Sequence, residues 1–219
     1  MSIPKYLDQY DLDASAPSTL AGPVTAYVLF KRLLDLGLIV VFSPIFVPLM
    51  LVTAVIIKLE SKGPVFFWQK RVGLHGKIFN MLKFRSMTTD SEDDGSQFAK
   101  SGDKRVTRFG RLMRKMRIDE IPQLWNIIRG EMSLIGPRPE QASFVEEFEK
   151  AIPMYASRHV VRPGITGLAQ VEQGYVDDED GTRTKLSYDL HYIDKLSFKM
   201  DMKIVGKTIY TMATGFGAR

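Results

Sequence analysis

Asp119 and Glu120 stand side by side in the stretch MRKMRIDEIPQLWN, behind a run of cations that includes Arg114, Lys115 and Arg117. Two readings fit such a pair. One is a solvated helix start laced with salt bridges. The other is a site that handles phosphate through a divalent metal. The unpaired N–H groups and partial positive charge of a helix N-terminus hold a carboxylate ionised and welcome a phosphate. An ionised aspartate is a nucleophile that can form an acyl phosphate, and Mg²⁺ between carboxylate and phosphoryl oxygens removes their mutual repulsion. Arginines then neutralise charge on the transferred group.

The elements that must position such chemistry are legible around it. A helix is expected to start at Asp119, with that residue as its N-cap, and to run through EIPQLWNIIRGEM, burying Ile121, Leu124, Trp125 and Ile128. Ahead of it, Val106, Phe109, Leu112, Met113 and Met116 recur at helical spacing opposite Arg108, Arg111, Arg114, Lys115 and Arg117. A basic amphipathic helix of this kind suits anionic headgroups, or forms a solvated charged face. The stretch GPVFFWQKRVGLHGKIFNMLKFRSM reads as a β-hairpin around Gly73-Leu74-His75-Gly76. Lys83 and Arg85, two apart on its second arm, share a strand face. Arg138 stands in a rigid Pro-Arg-Pro turn, and Arg162 precedes a Pro-Gly turn and a short strand. The stretch TKLSYDLHYIDKLSFKMDMKIVGKTIYTM gives one or two amphipathic helices for the domain or a membrane, and TTDSEDDGSQFAKSGDK reads as a loop.

From Leu36 to Ile57 the chain carries an uncharged apolar run of 22 residues, against the roughly 20 that cross a bilayer as helix. It is too long and starts too late for a cleavable signal peptide. Pro44 lacks an N–H and its ring crowds the carbonyl of Val40, so a kink or break is expected there, with the Ser43 hydroxyl covering the freed carbonyl. The segment is either a kinked span or a re-entrant helix-break-helix. Lys31 and Arg32 before it, and Lys58, Lys62, Lys70 and Arg71 after it, prefer the same, cytoplasmic side. Each arm, Leu33 to Phe42 and Ile45 to Leu59, would be roughly 15–22 Å long, enough to enter one leaflet.

The whole chain of 219 residues carries a formal net charge of +5, which favours an anionic partner without choosing one. With no cysteine and only three scattered histidines, any metal is expected on oxygen ligands. Three regions follow: an N-terminal extension over 1–24, a membrane segment over 25–60 and a catalytic domain over 61–219. The fold class expected is mixed α/β and helix-rich, with a small β-hairpin or sheet and interfacial amphipathic helices.

Taken in order, KRLLDLGLIVVFSPIFVP, the hairpin stretch, RFGRLMRKMRIDEIPQLWNIIRGEMSLIGPRPE and RPGITGLAQV resemble the bacterial sugar transferases of the monotopic phosphoglycosyl transferase family, from about Leu33 to Lys207. The resemblance implies a re-entrant membrane helix and Asp119 and Glu120 as catalytic dyad and Mg²⁺ site. Asp119 would be the nucleophile and Glu120 its partner. It implies a nucleotide-diphosphate sugar, by expectation UDP-linked, as donor and a polyprenyl (undecaprenyl) phosphate as acceptor. Lys83, Arg85, Arg114, Arg138 and Arg162 would face phosphate. The implied product initiates glycoconjugate or exopolysaccharide assembly at the cytoplasmic face of the bacterial inner membrane. After AQV the chain departs from the family's frequent Asn-Gly-Arg, reading Glu172-Gln173-Gly174-Tyr175 and then an acidic loop through Asp180. Two rival readings remain: a non-catalytic membrane scaffold using its basic helix, and nucleic-acid binding through Phe66, Phe67 and Trp68 near basic residues, for which no recognised motif is present.

Overall fold

The computed structural model describes residues 10–13, 25–88, 103, 105–173 and 179–214. The first element, α1, runs from Thr25 to Glu60, about 54 Å at about 1.5 Å per residue. It carries no break. The helix continues through Pro44 and Pro48, and the Ser43 hydroxyl donates to the Val40 carbonyl at 2.7 Å. That carbonyl is the one Pro44 leaves without a donor, so a local side-chain bond makes the proline tolerable. Most side chains between Val40 and Val52 are exposed and apolar, whereas Lys31, Asp35 and Ile39 before them and Thr53 and Ile57 after them are buried.

The hairpin forms as expected. Strands β1 (Phe66–Val72) and β2 (Ile78–Phe84) pair antiparallel, with Phe67 opposite Lys83. His75 turns the corner at φ +56°. Helix α2 (Arg108–Met116) starts at Thr107, whose hydroxyl accepts from the Gly110 N–H at 2.9 Å. Then comes a difference from expectation. The chain makes a single 3₁₀ turn over Ile118–Glu120, and α3 spans only Gln123–Ile128 behind Pro122, so Asp119 caps no helix. The face expected inside is also displaced. Gln123, Asn126 and Ile127 are buried, while Trp125 and Ile128 are 49% and 46% exposed.

Asn126 explains the displacement. Its Oδ1 accepts from the Leu82 N–H at 2.9 Å and its Nδ2 donates to the Asn80 carbonyl at 2.8 Å, on the free edge of β2. A polar side chain thus pairs two strand groups that burial would otherwise orphan. Asn126→Ala is expected to lower unfolding stability by about 2–4 kcal/mol, from two unsatisfied backbone groups. Thermal unfolding in detergent measures it.

Beyond α3, β3 (Ser133–Ile135) pairs in parallel with β4 (Gly164–Thr166). Between them lie α4 (Ala142–Ala151) and a 3₁₀ segment over Pro153–Val160, and after them α5 (Leu168–Glu172), α6 (Glu179–Asp194) and α7 (Phe198–Thr214). A Cβ on Gly136 or Gly164 would overlap backbone of the facing segment. The glycines of IGPRP and RPGIT therefore let these two segments touch. The largest core joins β3, α4, α5, α6 and the 3₁₀ segment, including Ile135, Ile152, Tyr155, Leu186 and Ile193. Tyr10 and Leu12 pack on it, and the Leu12 carbonyl accepts from Met154 N–H at 3.1 Å. Part of the N-terminal extension is thus pinned to the domain. Two smaller clusters join α1 to the hairpin: Ile39 with Phe79, Met81, Ile127 and Met132, and Ile57 with Phe84 and Met113. The expected loop over Thr88–Lys104 and the acidic residues Asp177 and Asp178 lie largely or wholly outside the described residues.

Candidate active site

Arg117 ends α2 in the left-handed conformation, φ +54°. This reversal, which disfavours a side chain with a Cβ, throws Asp119 and Glu120 onto the short turn between α2 and α3. The two carboxylates then meet opposite environments. Glu120 is 5% exposed. Its Oε1 accepts from Arg138 Nη2 at 2.6 Å and lies 3.5 Å from Lys83 Nζ, while Oε2 is 3.6 Å from Arg117 Nη1. Burial alone would push its carboxyl up, but Arg138 and then Lys83 outweigh it and hold Glu120 far below the usual carboxylate range. Glu120 is a permanent anion. Asp119 has no hydrogen bond or ion pair among the described residues, and it is partly open to solvent. Burial and then the Glu120 charge raise its pKa, against the pull of Lys83, Arg114 and Arg138. Neighbouring carboxyls whose environments separate them in this way can take separate roles.

The cations expected at the site divide into two groups. Lys83, Arg114 and Arg138 converge on the dyad: Lys83 from β2, Arg138 from the Pro-Arg-Pro turn, and Arg114 from α2, where its Nε donates to Ser86 Oγ at 2.8 Å. Arg85 does not join them. One residue past β2, its guanidinium donates to the Lys62 carbonyl at 2.6 Å and to the Ser61 carbonyl and hydroxyl at 3.0 and 2.9 Å. It clamps the chain leaving α1. Spacing two on an ideal strand puts it beside Lys83, but β2 ends at Phe84. Arg162 also lies elsewhere, its Nε donating to the Gly130 carbonyl at 2.9 Å on the wall of a separate cavity.

Several supporting residues escape a reading by motif. Arg158 Nη2 donates to the Arg138 carbonyl at 2.9 Å, and Arg71 Nη1 donates to the Pro139 carbonyl at 3.0 Å. Glu140 pairs with Lys185 and lies 3.7 Å from Arg71. Despite burial, Lys185, Arg158 and Arg71 pull the Glu140 carboxyl down to about 2. Arg158 is itself buried, 2.6 Å from Asp189 Oδ2 and bonded to the Tyr155 hydroxyl at 2.8 Å. The turn that carries Arg138 is therefore tied down at three successive residues. Asp189, a lone acid within LSYDLHYI, is the available signal.

Mg²⁺ can be tested against these residues. Among the described residues no cluster of three or more His, Asp or Glu side chains exists. Glu120 Oε2, however, is buried without a hydrogen-bond partner beside the unpaired Asp119 carboxylate. Two hard oxygen ligands, with the rest supplied by substrate phosphate and water, match how Mg²⁺ is usually held. The residues fit the ion.

A carboxylate dyad ringed by cations sits on a domain that holds one helix long and apolar enough, by length and composition, to cross a membrane. Comparison gives the family. Residues 26–215 match the family model described as bacterial sugar transferase, and the chain belongs to that family. It is 54% identical over 202 residues, 92% of this chain, to a UDP-N-acetylgalactosamine-undecaprenyl-phosphate N-acetylgalactosaminephosphotransferase of Aeromonas hydrophila, of which the match covers 47%. It is 42% identical, over 88% of this chain and 73% of the relative, to a UDP-glucose:undecaprenyl-phosphate glucose-1-phosphate transferase of Caulobacter vibrioides. It is 37% identical, over 85% of this chain and 96% of the relative, to an exopolysaccharide production protein of Rhizobium leguminosarum. The chain thus spans about half the length of the Aeromonas relative.

Proposed function

We propose that the chain is a phosphoglycosyl transferase that moves a sugar 1-phosphate from a UDP-sugar to undecaprenyl phosphate, beginning the assembly of a polysaccharide or glycoconjugate. The observation that carries this reading is the division of the dyad: Asp119 free of partners among the described residues, Glu120 fixed by Arg138 and Lys83. The relatives' names supply the substrate classes.

In this reading an Asp119 oxygen attacks the phosphorus that bears the sugar. The pyrophosphate P–O bond breaks and UMP leaves with the bonding electrons. A phosphate oxygen of the polyprenyl acceptor then attacks the same phosphorus, and the Asp119 carboxylate departs unchanged. No proton is required in either displacement. Arg138, Lys83 and Arg114 offset the negative charge that gathers around the phosphoryl groups. Glu120 and Asp119 would hold Mg²⁺, which supplies further charge neutralisation for the pyrophosphate. The experiment is a screen of UDP-sugars for UMP release, with and without Mg²⁺. Release that ignores both the sugar nucleotide and EDTA would overturn the assignment.

The same reading makes α1 re-entrant, as an unbroken helix bent at Ser43–Pro48 rather than the expected helix-break-helix, and puts the domain on the cytoplasmic face. Its support is that the buried residues on both sides of Ser43–Pro48 pack on one domain, Ile39 against Phe79 and Met81 and Ile57 against Phe84. Ile39 and Ile57 are separated by about 27 Å of helix. A full span would carry the hairpin they flank into hydrocarbon with its backbone groups. Ser2→Cys and Lys62→Cys, probed in intact cells with an impermeant thiol reagent, are both expected to be protected. Labelling at position 2 alone would establish a span.

A further inference from the structure

A cavity of about 260 Å³ lies between the first turns of α1, the β1–β2 turn, β3 and the segment over Val160–Arg162. Neither Asp119 nor Glu120 lines it. Its walls are largely apolar, from Val28, Ile135, Val160 and Leu196 among others, yet two guanidiniums meet there. Both are tied to the end of α3. Arg162 Nε donates to the Gly130 carbonyl at 2.9 Å, and Arg32 Nη2 donates to the Ile128 carbonyl at 3.0 Å and sits 3.7 Å from where a Gly130 Cβ would be. Arg32 Nη1 is spent on the Ile127 carbonyl. The Arg162 terminal nitrogens have no hydrogen-bond partner among the described residues.

The remaining charges offset this pair only in part. Lys31 is consumed by Asp201 at 2.5 Å, and Asp35, which accepts from the Ser133 hydroxyl at 2.6 Å, sets one carboxylate on the wall against two guanidiniums. His75 is exposed at the rim and bonded to nothing among the described residues. Two like charges held together beside apolar walls leave a position for an anion with an apolar body. Its depth identifies the source. Val28, Lys31, Arg32 and Asp35 occupy the turns of α1 immediately before the uncharged run that begins at Leu36, and Leu29, Phe30 and Leu33 are exposed beside them. On the re-entrant reading, this is the level of the lipid headgroups.

The geometry points to a binding site for an anionic phospholipid, its phosphate on Arg162 and Arg32 and its glycerol and first acyl carbons against Val28, Ile135, Val160 and Leu196. This inference rests on the membrane placement of α1 proposed above and not on the dyad's chemistry. The site would fasten the N-terminal arm of α1 to the leaflet at a defined height.

The test is a titration of the full-length chain in nonionic detergent with short-chain phosphatidylglycerol, reading the thermal midpoint. A saturable rise is expected, with phosphatidylcholine, UDP and inorganic phosphate giving smaller rises at equal concentration. Arg162→Gln is expected to weaken apparent lipid affinity at least about tenfold, and Arg129→Gln, on the exposed Arg129–Glu131 pair, to leave it unchanged. Val28→Trp, which fills the cavity without altering charge, is expected to abolish the lipid response and keeps the test decisive if Arg162→Gln fails to fold. Asp119→Asn is expected to stop turnover and keep the response, which separates this site from the catalytic assignment. Equal responses in wild type and both cavity variants would overturn the site. A UDP or phosphate response as large as that of lipid, and equally lost in the variants, would overturn the lipid as occupant. Loss of the response in Asp119→Asn would overturn a site separate from the dyad.

Discussion

Asp119→Asn is expected to abolish turnover, by about 10⁴-fold or more, the loss typical of removing a covalent nucleophile. The substitution changes one oxygen to nitrogen in a side chain that makes no described hydrogen bond, so the fold should be untouched and its thermal midpoint not lowered. The same covalent step predicts a partial reaction. Wild-type protein given labelled UDP-sugar and Mg²⁺ without lipid acceptor should release up to one equivalent of UMP and retain label on Asp119. Direct displacement would instead give no UMP until acceptor is added and no protein-bound label under rapid quench. Substantial activity in Asp119→Asn would reject the nucleophile and return the pair to an ordinary charged turn.

The largest expected loss of stability lies away from the dyad, at Asp189→Asn. Arg158 and Asp189 are each about 2% exposed and 2.6 Å apart. Removing the carboxylate takes from a buried guanidinium its nearest counter-charge, a change that costs about 3–5 kcal/mol. Replacing both partners by apolar residues of similar size is often close to neutral. The double variant Arg158→Met with Asp189→Leu should therefore recover most of the thermal midpoint lost by Asp189→Asn alone. It should not recover activity, because a thioether has no N–H to donate to the Arg138 carbonyl, as Arg158 does at 2.9 Å. Recovery of both would show that this tie is dispensable. Recovery of neither would show that the pair stabilises by more than charge balance.

The hairpin, the apolar helix and the cationic surroundings of the dyad are legible in the sequence because each rests on a local pattern. Alternation around Gly73–Gly76 specifies β1 and β2, and the uncharged run specifies α1. The start of α3 differs from expectation because a left-handed Arg117 is not a sequence signal: nothing in the side chain announces φ +54°. The face of α3 differs for another reason. Periodicity assigns apolar residues to the interior, but here Asn126 wins the interior by bonding the free edge of β2. Trp125 and Ile128 are correspondingly displaced outward. Motif groups Arg85 and Arg162 with Lys83 and Arg138, whereas their carbonyl partners are set by long-range packing. The Arg158–Asp189 tie spans α6 and the 3₁₀ segment, and no local pattern encodes a pairing of that separation.

The dyad's turn hangs between α2 and α3, and both helices turn apolar side chains outward: Leu112 and Met116 from one, Trp125 and Ile128 from the other. On the proposed reading these side chains enter the leaflet beside Asp119, so the two substrates arrive through different dimensions. The sugar nucleotide diffuses in three, while the polyprenyl phosphate searches only the plane of the membrane. Turnover should then follow the acceptor's mole fraction in the bilayer rather than its molarity in the tube. Adding acceptor-free lipid to proteoliposomes, by fusion into the same bilayer, should slow the reaction even though the amount of every reactant is unchanged.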